Sequence, residues 1–311
     1  MALIDPRVSG PPAGWGVTVD AGAIRGLAGA WVHRDLDEPR YDYPGMPPAG
    51  ASGWLDFCVL AVAVCGCLWA PEGSEMWATY HEGAWLDDAP GLFSCITRQG
   101  WEPRRYAELD DTSGRAMFAG RGVLQFVPDR VKRLREVGGA LEGRWAGSAA
   151  SLVEDAGWDG RRIVELLVGT IPGFDDHAVT PVGTVRFDKL AHLATAMMAA
   201  RSDRPIGGIG DFPVFADYMV PRTLRHLGVL VYESGLGEAV DQRMLIPSGS
   251  TWEVAIRWAT IRAGELIREA LAARGRHLST PRLDYALWSD AVLGPEAGAM
   301  GEHHRTPGLA Y

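Results

Sequence analysis

The sequence predicts a mainly α protein, a compact helical fold with a minor β element in its N-terminal half. Three observations carry this: apolar residues recur at helical spacing from Asp129 onward, a capping box opens a long run at Ser250, and no solenoid-length repeat or low-complexity tract is present in the 311 residues. With 47% hydrophobic and 22% charged residues, such a chain can bury a substantial core. A single domain over 1–311 is expected.

Between Arg34 and Gly53, prolines and glycines break both the helical and the alternating period, which predicts an irregular connection. Trp54 to Trp69 is almost wholly apolar and β-rich at its start, so it reads as a buried strand or a buried helix. Val131, Leu134 and Val137 share one helical face, as do Ile163, Leu166 and Leu167. Phe187 to Ala200 continues the pattern through Leu190, Leu193, Ala194 and Met197, which puts Lys189 near a helix N-terminus. Ser250-Thr251-Trp252-Glu253 has the Ser-x-x-Glu form in which two side chains satisfy the first free N–H groups, predicting a helix from about Thr251 to Arg274.

The formal charge of -9 argues against a long nucleic acid as partner, because tracking phosphates takes clustered Lys and Arg. Cys58, Cys65, Cys67 and Cys95 lack the paired spacing of a zinc ribbon and read as reduced core thiols, so no metal is assigned, nor any other cofactor. The start, MALIDPRVSG, has no basic stretch followed by an apolar one. Val59 to Ala70, the most apolar stretch, is too short to span a bilayer. A cytoplasmic monomer without membrane contact is expected. Phosphate-loop, zinc-helix and nucleophile-elbow patterns are missing from the sequence.

One segment stands apart. In Phe215-Ala216-Asp217-Tyr218-Met219-Val220-Pro221, a carboxylate sits among apolar residues just before a helix, an environment that perturbs an acid. Asp217 either caps that helix or serves chemistry. Pro221 favours the second reading: as first helical residue it moves the N-cap to Val220 and frees Asp217, while Gly228 ends the helix.

Phe215-Ala216-Asp217-Tyr218, the Val-Pro at 220 and 221, and Leu224-Arg225-His226-Leu227-Gly228 resemble the signature of the queuosine salvage proteins. Phe174-Asp175-Asp176, Val185 to Lys189, Glu253 to Arg257 and Leu283 to Trp288 resemble further blocks of that family, in the same order. The likeness covers Asp155 to the C-terminus well. Within the single domain, 1–150 is then a divergent part and 151–311 the helical part with the signature. Cys65-Gly66-Cys67-Leu68-Trp69 keeps only Trp69 of an Asn-aromatic run usual there, and Met219 and Arg222 replace an Arg and a Gln.

The resemblance implies a fold similar to helix-hairpin-helix DNA glycosylases and hydrolysis of queuosine 5'-phosphate, a 7-deazaguanine nucleotide of tRNA modification, to free queuine. It places Asp217 beside the anomeric carbon and Lys189 beside the base or the carboxylate; unaided, a lone Lys is more often a solvated helix residue. Trp69, Phe215, Tyr218 and Met219 are expected on the base or ribose, although aromatic residues in apolar sequence are also plain core. Arg222, His226, His304, Arg305 and Tyr311 are the candidates for the 5'-phosphate. Asp284 and Trp288 either line the pocket floor or pack inside the core. Glu253 and Arg257 read as supporting structure, a capping residue and its i,i+4 partner. The departures leave an alternative, a catalytically altered paralogue that binds or hydrolyses another nucleotide. A DNA glycosylase analogue conflicts with the acidic charge.

Overall fold

The computed structural model describes residues 2–48 and 50–310. Thirteen α-helices run through them, with three small sheets, so the fold is mainly α. Contacts divide the chain into two compact units, each assembled from separated stretches. One combines Met1–Pro39, Asp176–Lys189 and Ile209–Pro307; the other combines Arg40–Asp175, Leu190–Gly208 and Gly308–Tyr311.

In the first unit the helix Thr251–Ala272 is the central element. Its cap forms as the capping box requires on one side, with Ser250 Oγ accepting from Glu253 N. On the other side Glu253 Oε2 accepts from Gly249 N, one residue further back than the usual partner. Every residue from Glu253 to Ile261 is buried, so this stretch is covered all round. Gly264 permits part of that cover: a Cβ there would stand 2.6 Å from Val214 Cγ1, too close for any side chain. Around this helix pack Ala21–Trp31, Met219–His226 and Thr280–Val292.

Strands are not confined to the N-terminal half, contrary to expectation. Leu3–Ile4 pairs in parallel with Gly183–Arg186, which pairs antiparallel with His177–Thr180; Val17–Val19 pairs antiparallel with Leu230–Tyr232. Two-residue and three-residue partners this short carry no periodic signal, and only tertiary pairing defines them.

In the second unit, Trp54–Ala63 is a helix and not a strand, buried from Phe57 through Ala63. Gly53 opens it at φ +79°, and a Cβ at that position would fall 2.3 Å from Trp101 Nε1. The predicted faces of Val127–Trp145 and Gly160–Thr170 are buried as expected. Arg130 is fully buried and donates to the carbonyls of Gln125, Val64, Gly66 and Cys67, which ties down the Cys65-Gly66-Cys67 turn. All four cysteines are buried and outside any disulfide, and burial pushes the Cys95 thiol up to about 11. Among the described residues no helix is long and apolar enough to cross a membrane.

Candidate active site

The Phe215-Ala216-Asp217 loop lies in the first unit and is pinned at successive backbone atoms. Phe215 N donates to Asp284 Oδ1 at 2.7 Å, and Asp217 N donates back to the Phe215 carbonyl at 2.6 Å. The Ala216 carbonyl accepts from Arg257 Nε at 3.2 Å. A carboxylate on such a loop is held in place by main chain, not by its own packing alone.

Asp217 does cap the following helix, contrary to the expectation drawn from Pro221. The helix is Met219–His226, and Asp217 Oδ1 accepts from Met219 N at 2.8 Å and Val220 N at 2.9 Å. Pro221 is its third residue, where an N–H would have no intrahelical partner in any case, so the ring costs no hydrogen bond. Gly228, at φ +69°, follows the helix as predicted. Capping occupies one oxygen, and Oδ2 is the atom that the backbone leaves to other use.

Lys189 is buried at the start of the helix Lys189–Ala200. Its N–H donates to Asp176 Oδ2 at 3.3 Å, and the preceding Asp188 holds a left-handed φ of +47° while pairing with Arg186. A non-glycine residue keeps that backbone only when its surroundings enforce it. Electrostatically, Lys189, Asp217 and Asp284 act as one group. Burial pushes the Asp217 carboxyl above its ordinary value, opposed by the Lys189 charge, the two helix N–H groups and Arg257. Burial, then the negative charge of Asp217, push Asp284 well above the carboxylate range, opposed by the Phe215 N–H and Lys189. Two acids coupled in this way titrate as a pair.

The remaining candidates divide. Phe215 and Tyr218 are buried, and Tyr218 packs against the His303 ring at 4.8 Å between centroids, a partner that sequence reading missed. Met219 and Trp288 are half-buried, and Trp288 stacks on Tyr285 against the core. Arg222 is withdrawn from the phosphate ligands. Its guanidinium donates to the carbonyls of Gly301, Ala291, Ala297 and Met300, leaving no fork for an anion. His304 is buried, and burial holds its imidazole down to about 3. His226 Nε2 lies 3.1 Å from Glu296, and Arg305 is half-buried with its carbonyl bound to Ile246 N. Trp69 belongs to the second unit, buried, its carbonyl accepting from Gln125 Nε2 at 2.8 Å. Tyr311 lies outside the described residues.

Sequence reading also gave Asp176 no role, yet it forms a buried ion pair with Arg257 across 81 residues. No local pattern announces a pair so distant; only the Phe174-Asp175-Asp176 block hinted at it. Among the described residues no cluster of three or more His, Cys, Asp or Glu side chains suits a metal ion.

Known proteins resemble this chain over most of its length. The family model described as queuosine salvage protein matches residues 56–311, spanning both units. A protein of Sphaerobacter thermophilus named queuosine 5'-phosphate N-glycosylase/hydrolase is 31% identical over 95% of this chain and 93% of its own length. Proteins of the same name from Nematostella vectensis (26% identical, 87% of this chain, 85% of theirs) and Dictyostelium discoideum (30% identical, 59% and 58%) are also similar. The chain belongs to the queuosine salvage protein family.

Proposed function

We infer that this chain is a hydrolase that cleaves the N-glycosidic bond of queuosine 5'-phosphate, releasing queuine and ribose 5-phosphate. The observation that carries the chemistry is geometric: Asp217 spends Oδ1 on the N–H groups of Met219 and Val220, on a loop that Asp284 and Arg257 pin through the backbone. As the bond to the base breaks, positive charge develops on the sugar ring, and an ionised Asp217 with a free Oδ2 stabilises it or attacks C1'. A 7-deazapurine has carbon in place of N7, so the usual proton-accepting site for purine departure is missing. A protonated Asp284 supplies a donor to the base edge as negative charge develops there. Lys189 keeps Asp217 ionised. Water then completes the hydrolysis at C1', its proton passing to the carboxylate side of the site.

The proposal extends to surroundings. Phe215, Tyr218, Met219 and Trp288 contact base or ribose, and Arg305 and His226 serve the phosphate. The helical fold is of the helix-hairpin-helix DNA glycosylase kind, the whole of 1–311 works as one domain, and the protein is a cytoplasmic monomer. Incubation with queuosine 5'-phosphate is expected to release queuine, and Asp217→Asn to abolish release while the folded spectrum persists. No free base from queuosine 5'-phosphate sinks the substrate, and a fully active Asp217→Asn protein sinks the assigned role.

A further inference from the structure

Arg257 pairs with Glu253 as the i,i+4 spacing predicts, and it does more: its side chain is 3% exposed and its guanidinium is engaged on every edge. Nε donates to the Ala216 carbonyl; Nη1 donates to Asp176 Oδ1 at 2.8 Å and reaches Glu253 Oε1 at 3.4 Å; Nη2 meets Asp176 Oδ2 at 2.5 Å. Its flat face covers the Phe187 ring at 4.0 Å. The two things it joins are the two halves of the site. Asp176 binds the N–H of Lys189, and its carbonyl accepts from Phe187 N and Asp188 N, so it fixes the segment that presents Lys189. Ala216 immediately precedes Asp217.

We propose that Arg257 is a positioning residue for the glycosidic reaction, locking the Asp217 loop, through the Ala216 carbonyl, to the Asp176-bound start of the Lys189 helix. The proposal rests on the reading of Asp217 and Lys189 as the reacting carboxylate and its counter-charge. A helix staple alone would need only the Glu253 contact; here one planar fork spans three separated segments, a geometry that lysine does not reproduce. Burial of two carboxylates around one guanidinium is a poor way to gain stability, since an apolar replacement often does as well. Geometry at the carboxylate is what the fork adds.

The test is Arg257→Lys together with Asp176→Asn, in the full chain, assayed with queuosine 5'-phosphate against pH. In the folded fraction, kcat should fall on the order of 10²-fold, the loss that misplacing a reacting group by about an ångström produces. KM should move less than about threefold, because the Arg257 donors are spent on protein groups. In Arg257→Lys the acid limb of the pH profile should move upward as the cation withdraws from Asp217, an effect that a purely architectural residue does not produce. A wild-type kcat and acid limb in both variants overturns the proposal, as does failure of both to fold under any condition. Asp217→Asn separates the two claims. If it is inactive while Arg257→Lys is unchanged, the positioning role fails alone; if it is active, the reading of the site fails first.

Discussion

Arg130 in the second unit and Asp217 in the first both set an ionisable group among apolar residues, and they differ in how completely it is answered. Arg130 finds four backbone carbonyls, so its donors are spent on holding one turn in shape. Asp217 spends one oxygen on a helix cap and keeps the other, while the acid nearest it in charge, Asp284, is pushed toward its neutral form. A buried charge that is fully partnered builds the fold. One that is partly partnered, beside a second acid whose value is also raised, is what the proposed chemistry uses. Arg222 follows the first pattern: the guanidinium that suits a phosphate is spent on backbone carbonyls.

Substitution breaks that contrast most directly. Asp217→Ala should lower kcat/KM on the order of 10³-fold, about 4 kcal/mol of transition-state stabilisation, with Tm reduced only by the loss of a cap. Arg130→Leu should do the reverse: unfolding free energy falls by about 4 kcal/mol, since four carbonyls lose their donor, and the folded fraction turns over normally. Denaturant titration beside steady-state assay reads both. A catalytic defect in folded Arg130→Leu protein would erase the distinction.

The next effect sharpens the site itself. The proposed mechanism needs Asp217 ionised and Asp284 protonated, so activity should fall as pH drops through the raised Asp217 value and fall again as pH rises through the raised Asp284 value. Asp284→Asn keeps an oxygen for the Phe215 N–H and removes the titrating proton. It should flatten the alkaline limb and lower kcat roughly 10- to 100-fold. An alkaline limb that survives the substitution assigns the acid to another group. Arg222→Met tests the withdrawal from phosphate binding: about 2 kcal/mol of stability should be lost with KM for queuosine 5'-phosphate unchanged. A large rise in KM would return Arg222 to the phosphate.

Which parts were legible in sequence follows the same physics. Helices with repeated apolar faces, such as Val127–Trp145, Gly160–Thr170 and Thr251–Ala272, declare themselves because one period governs many residues. Trp54–Ala63 did not, because a segment buried on all sides loses its period. Asp217 was legible as a carboxylate in apolar company, but its capping role was misjudged: Pro at the third helical position is as harmless as at the first. Lys189 and Asp284 were found only as parts of blocks resembling a family. The Asp176–Arg257 pair, 81 residues apart, was invisible, because an ion pair closed by tertiary folding leaves no spacing to read.

The smallest expected effect lies in the second unit and concerns a carboxylate with one partner and no chemistry. Asp56 Oδ1 accepts from Ala149 N at 2.6 Å, joining the first turn of Trp54–Ala63 to the start of Ala149–Asp155. Burial raises its carboxyl to about 6, and the Ala149 N–H opposes that only in part. The folded protein therefore binds the Asp56 proton more tightly than the unfolded chain does, where the value is near 4. Its contribution to stability is full below that unfolded value and is lost as pH rises through about 6. Asp56→Asn keeps an acceptor for Ala149 and cannot ionise, so it should raise stability by about 1 kcal/mol at pH 8, after allowance for partial exposure, and by little at pH 4. Thermal melts of both proteins across that range check it; equal shifts at the two pH values would mean that Asp56 acts through packing and not through its charge. Set beside Asp217, whose elevated value is coupled to a second acid and a buried lysine, Asp56 shows that burial alone shifts an acid, whereas a site needs the neighbours.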